Sequence, residues 1–324
     1  MATVEDLTFN AFVAEATFLG PTAAFALGDG SVRLIAGGAE TRADVHAGAI
    51  LSAARSADGK RLVTGGDDGV VAATDAAGAT TRIAERPRKW IDHVATGAGD
   101  AVAFVTGRQV SVRFGDGRER SLDLPRTAGG VAFAPKGTRL AIARYDGVTL
   151  WWPATEAAPT ALEWKGAHLA ASFSPDGKYV VTAMQDNALH GWRLSDGKDM
   201  RMSGYPSKPR SMSWSAKGRF LGTSGANAAI LWPFHHKDGP MGKPPLQLGA
   251  REVLVTRVAC HPREEMAAVA YQDGMILAVR FADAEEALLR RPGGGPVSAL
   301  AWDEVGRRLA FGTEGGEGGI VDIG

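Results

Sequence analysis

The chain of 324 residues carries 36 basic and 36 acidic side chains, so its formal net charge is zero, and 45% of its residues are hydrophobic. That composition supports a globular core and argues against a general binder of nucleic acid or membrane surfaces, because neither polyanion would attract the molecule as a whole. The single cysteine, Cys260, excludes an intramolecular disulfide, and no apolar run reaches the roughly 18 residues of a membrane span, so a soluble, cytoplasmic protein is expected.

In chain order, Thr3 to Phe12 reads as a strand with alternating apolar positions. Eight strand triplets follow, beginning near Phe12, Ile50, Asp92, Gly130, Leu169, Arg210, Leu254 and Val297. Within a triplet, the first strand turns on a segment such as Ser56-Ala-Asp-Gly59, Ala134-Pro-Lys-Gly137 or Ser174-Pro-Asp-Gly177 into a β-rich second strand. Asp-Gly between alternating apolar runs is a hairpin signal, since glycine takes the positive φ of tight turns. A second turn opens the third strand at Gly30, Gly69, Gln109, Gly147, Asn187, Asn227, Gly274 and Gly316, a spacing close to 40 residues with one longer interval of 47. Asn suits such a slot because it tolerates the left-handed conformation. Five positions later stands an aromatic residue in four units: Phe114, Trp152, Trp192 and Trp232. The last triplet ends on Gly319 to Ile323, leaving no residues for a fourth strand. The surplus strand at residues 1–12 is expected to supply it, which would remove two exposed sheet edges.

A period near 40 with this turn grammar resembles the WD40-repeat family of β-propellers over almost the whole chain. Ser174-Pro-Asp-Gly177 stands as the family has it, His46 falls at the family's histidine, and aspartates precede the second turn at Asp29, Asp68, Asp146, Asp186 and Asp273. No unit has the complete Trp-Asp ending. The resemblance implies an all-β fold: one propeller domain, residues 1–324, of eight four-stranded blades. Seven blades is the alternative, if the atypical first or third unit is not a blade. The Ala- and Gly-rich composition with degenerate repeats suggests a bacterial source. The resemblance also assigns His46, Thr64, Asp68, Asp146, Asp186 and Asp273 to buried hydrogen-bond relays rather than to chemistry. A catalytic carboxylate pair is needed once, and these aspartates recur in five units.

Phosphate loops, nucleophile elbows and His-Glu-x-x-His are absent from the sequence, so the expected function is a non-catalytic scaffold for a protein or peptide, with no cofactor. The first candidate surface is formed by links between successive units. There Arg86, Arg88, Lys89, Lys208, Arg210 and Arg251 could grip an acidic segment, with Trp90 and Tyr205 as aromatic anchors. The second is an insertion at residues 233–245, offering Phe234, His235, His236 and Met241. Three readings remain as alternatives. The two insertion histidines with Cys260 and His261 could hold a metal, and the basic links with their aromatics could hold nucleic acid. An enzyme is the least supported.

Overall fold

The computed structural model describes residues 3–324, in which every regular element is a β-strand. Hydrogen bonding groups the strands into sheets spanning residues 13–44, 50–85, 93–123, 128–202, 212–248, 255–290 and 297–322. Strands follow one another antiparallel within each sheet, as short hairpin links require. Eight separate sheets were expected and the described residues form seven. The first and third units, suspected of not being blades, each form an ordinary four-stranded sheet.

The difference lies in the fourth and fifth units, which share one six-stranded sheet. Strand Leu140–Trp151 pairs with Ala128–Phe133 through its first half and with Thr160–Phe173 through its second. Strand Thr160–Phe173 then continues into pairing with Tyr179–Met184. Four of the other links contain Pro87, Pro125, Pro206, Pro209 or Pro292, which lack the amide donor a ladder needs, while the links at residues 45–49 and 249–254 have no proline and still end their strands. Between Trp164 and Ala167 no proline intervenes. Gly166, at φ 104°, lets the strand change direction without ending it.

The N-terminal strand Thr3–Thr8 pairs antiparallel with Glu317–Asp322, from Thr3 opposite Asp322 to Thr8 opposite Glu317. Residues 1–2 of the expected closing segment lie outside the described residues. Beyond the strand, Phe9 is buried and its ring lies 4.9 Å from that of Phe25.

Two compact units can be distinguished. One comprises Met1–Phe25, Asn187–Leu189 and Met200–Gly324, and the other Ala26–Asp186 and His190–Asp199. In the first, Ala268, Ile276, Val297, Leu309, Phe311 and Val321 belong to a single buried cluster from two successive sheets. In the second, Val105, Val110 and Val112 pack with Leu140, Ile142 and Trp151 in the same way. Second strands are buried on both faces, so they read as continuous apolar runs rather than alternating ones. All six residues of Thr22–Leu27 are buried, whereas the fourth strand Ala39–Asp44 is exposed except at Ala43. Asn187 adopts φ 57° at its turn as expected; in the fourth unit Asp146 does so instead, at φ 65°.

Candidate protein-interaction site

The relay residues of the second unit converge. His46 Nδ1 lies 3.0 Å from Asp68 Oδ1, and His46 Nε2 lies 2.8 Å from Thr64 Oγ1. Partial burial opposes the Asp68 carboxylate, but bonds donated by Val70 N, His46 and Ala47 N outweigh it and hold its pKa below the usual range. A Cβ on Gly66 would collide with the His46 ring, so this glycine gives the imidazole its place. The other aspartates act more locally. Asp273 accepts from Met275 N at 3.0 Å and Asp146 from Gly166 N at 3.3 Å, while Asp186 contributes a favourable charge near His168.

Two histidines missed in the sequence occupy the core of the fifth unit. His168 is 2.7 Å from Thr182 Oγ1 through Nδ1 and 3.1 Å from Trp164 O through Nε2. Burial pushes its pKa down, so the neutral ring with a proton on Nε2 fits these partners. His190 is stacked on Trp164 with ring centroids 3.9 Å apart. The signal for both was available: a polar ring on an otherwise apolar strand.

Tyr205 was expected at the surface and is buried. Its hydroxyl lies 2.6 Å from Thr223 Oγ1 and 2.6 Å from Trp232 Nε1, and burial pushes its pKa up to about 12. It is an internal strut and not an anchor for a partner. Phe234 is likewise buried, edge-on to Trp214 at 4.8 Å, so the insertion folds its ring inward. His235 and Met241 remain exposed and His236 is half-buried.

The proposed metal ligands are not brought together. Buried His261 engages Gly306 O through Nε2 at 2.8 Å and accepts from Glu264 N at 2.9 Å through Nδ1. The Cys260 sulfur bonds to Ser213 O at 3.3 Å, and burial pushes its thiol up to about 12, away from the thiolate a metal requires. Among the described residues no group of three or more His, Cys, Asp or Glu could hold a metal ion.

The basic link residues divide into two kinds. Arg86 is tied to Glu119 and lies 4.9 Å from the Phe104 ring centroid, and Arg251 donates to Glu286 at 2.5 Å. These guanidiniums serve the fold. Arg88 and Lys89 are exposed and have no acidic partner among the described residues. Neither do half-buried Lys208 and exposed Arg210, although Glu314 lines the same recess as that pair and offsets their charge.

Trp90 is 65% exposed, the most of any large hydrophobic residue described. With Arg88 and Lys89 it lines a shallow recess that also includes Asp92, Thr106 and Gly107, Asp92 accepting from Gly107 N at 2.7 Å. An adjoining recess shares Lys89 and Thr106 and adds Arg108, an exposed cation the sequence reading did not select. The Thr106 hydroxyl is buried with no hydrogen-bond partner among the described residues. Arg88 sits at φ 62° in the turn closed by Lys89 N to Arg86 O at 3.1 Å. A left-handed arginine is an uncommon, strained choice where glycine would serve.

Comparison with known proteins agrees with this architecture. The family model for the WD domain, G-beta repeat, matches residues 41–72, the stretch that contains His46, Thr64 and Asp68. The chain is thus similar to WD40-repeat proteins, and it folds as an all-β propeller whose sheets are four-stranded apart from the six-stranded one shared by the fourth and fifth units. Over 201 residues it is 26% identical to WD repeat-containing protein 55 of Rattus norvegicus, covering 60% of this chain and 51% of that protein. The human protein of the same name is 24% identical over the same length. The chain thus spans about half the length of the curated relatives it matches, and these mammalian relatives give no support to a bacterial source. Among solved structures, the crystal structure of the computationally designed Ika8 protein is similar at a TM-score of 0.79, with 17% identity and 98% of both chains covered. That likeness is one of fold alone.

Proposed function

We propose that this chain is a non-catalytic scaffold that binds an acidic protein segment at the recess of Arg88, Lys89, Trp90 and Arg108. The carrying observation is Trp90, 65% exposed beside three cations that form no ion pair among the described residues, the acids of the two recesses, Asp92 and Asp123, accepting from Gly107 N and Gln109 Nε2. Leaving a tryptophan in water forgoes the burial of a large apolar surface, and a rigid aromatic flanked by arginine is the composition of a binding hot spot. Arginine grips carboxylates in pairs, and the unmet Thr106 hydroxyl could donate to one of them.

A Glu-rich fluorescent decapeptide containing one Leu tests the reading by anisotropy, against a single-stranded oligonucleotide of equal charge. The peptide is expected to bind more tightly, to weaken with added salt, and to lose at least tenfold in affinity when Arg88, Lys89 and Trp90 are all changed to Ser. Preference for the oligonucleotide would favour the nucleic-acid alternative.

A further inference from the structure

Elsewhere in the same compact unit lies a cavity of 240 Å3 that the interaction site does not use. Its apolar lining comes from Val63, Ala73, Ile83, Val102 and Phe114. Arg61, Arg82 and Arg113 surround this lining; Arg61 pairs with Asp100 at 2.5 Å, Arg82 with Glu85 at 2.7 Å and Arg113 with Glu119 at 3.8 Å.

The cavity has a definite origin in the repeat. The residue preceding the first turn of a unit is aromatic in four units, as Phe133, Phe173, Trp214 and Trp302. In the third unit it is Thr96. The register is fixed by the backbone bond that closes each turn: Ser174 N to Tyr179 O in the fifth unit corresponds to Gly97 N to Ala101 O in the third. An arginine opening the second strand of the preceding unit covers the aromatic ring. Arg139 lies 5.2 Å from the Phe173 centroid, and Arg308 similarly lies 4.7 Å from the Phe18 centroid. Arg61 holds the same strand position as Arg139, by the bonds Ser56 N to Arg61 O and Ala134 N to Arg139 O. Yet where Arg139 covers a ring, the next unit offers Arg61 only the short Thr96 at the ring's position, and the Arg61 guanidinium donates to Asp100 instead, while Arg61 and Thr96 both line the cavity. An arginine is in place and the ring it covers elsewhere is missing.

We infer that this cavity binds a compact aryl carboxylate whose ring takes the place left by Thr96 beneath Arg61. The ring gains the apolar lining and a cation above its face. Arg113, whose pairing with Glu119 at 3.8 Å is the loosest of the three, supplies the guanidinium that takes the carboxylate. The volume suits a one-ring acid better than a drug-sized molecule. Free aryl acids and a peptide ending in phenylalanine share this chemistry.

Calorimetric titration of the whole chain with phenylacetate, phenylacetamide and a pentapeptide ending in Phe tests the inference. Saturable binding of phenylacetate or the peptide is expected, the tighter of the two naming the source, with the amide at least tenfold weaker. Thr96→Phe supplies the missing ring and should abolish binding with the melting temperature kept or raised. Thr96→Val removes only the hydroxyl, which donates to Arg55 O at 2.5 Å, and should retain binding. Arg61→Ala should weaken it at least tenfold. Absence of saturable binding by either acid, or undiminished binding by folded Thr96→Phe or by Arg61→Ala, overturns the site. Equal affinity for the amide overturns its selection of an anion.

Discussion

The indole N–H of Trp232 donates to the Tyr205 hydroxyl at 2.6 Å, and that hydroxyl donates onward to Thr223 Oγ1 at 2.6 Å. Thr223 in turn donates to Ile230 O at 3.0 Å, so one directed series of bonds joins a link, a second strand and a third strand. In the second unit His46, Thr64 and Asp68 hold corresponding elements together. A phenol in the sixth unit thus stands where an imidazole stands in the second.

Tyr205→Phe removes the middle of that series and leaves the Trp232 N–H without its acceptor. It is expected to cost about 1–3 kcal/mol in denaturant unfolding. Adding Thr223→Val should cost less in the Phe background than in the wild type, since both changes break the same bond. Additive losses would mean that the series does not act as a unit.

Deleting residues 1–12 removes both the strand paired with Glu317–Asp322 and the buried ring of Phe9. Loss of a buried phenylalanine alone costs about 3–5 kcal/mol. A fall in melting temperature of roughly 5 °C is therefore expected by calorimetry, at about 1.5 °C per kcal/mol for a chain of this length. An unchanged temperature would show that the N-terminal strand is not needed to complete the last sheet.

Glu15 has a pKa of about 7, raised by removal from water against the opposing effects of Ala16 N and the Arg257 charge. The folded state thus favours protonated Glu15, and its contribution to stability is fullest below the ordinary value of 4.5. That contribution is lost as pH rises through 7. His93 and His168, both lowered by burial, act oppositely and destabilise as pH falls below about 6.5. Glu15→Gln should therefore be more stable than wild type at pH 8 and gain little at pH 4. A pH-independent difference between the two would refute this account of Glu15.

Arg88→Gly separates stability from binding. Relief of the left-handed turn should raise stability by up to about 1 kcal/mol, while removal of one cation weakens the acidic decapeptide several-fold. A variant both more stable and equally good at binding would remove Arg88 from the site.

The repeat period and the turn residues made the four-stranded units legible, and His46, Thr64 and Asp68 could be placed together because they fall at three of the four relay positions of the family they resemble. The merging of two units at Trp164–Ala167 was not legible, because the links at residues 45–49 and 249–254 also lack proline and yet end their strands, so composition does not mark the one link that continues. Tyr205 and Phe234 were misplaced for a related reason: each occupies a link or loop by sequence, and only the packing of Trp232 or Trp214 draws it inward. Counting basic residues could not separate Arg86 from Arg88, since the difference is a glutamate 33 positions away, Glu119. Arg108 escaped notice because its turn lacks the family residues, although it lines the recess adjoining Trp90.

The indole N–H resonance of Trp90, assigned by its loss in Trp90→Phe, reports most directly on the proposed interaction site. Titrating the nitrogen-15-labelled chain with the Glu-rich decapeptide should move that resonance and the amides of Lys89 and Thr106 along one saturating curve that weakens with salt. A bound peptide that leaves Trp90, Lys89 and Thr106 unmoved would contradict the account.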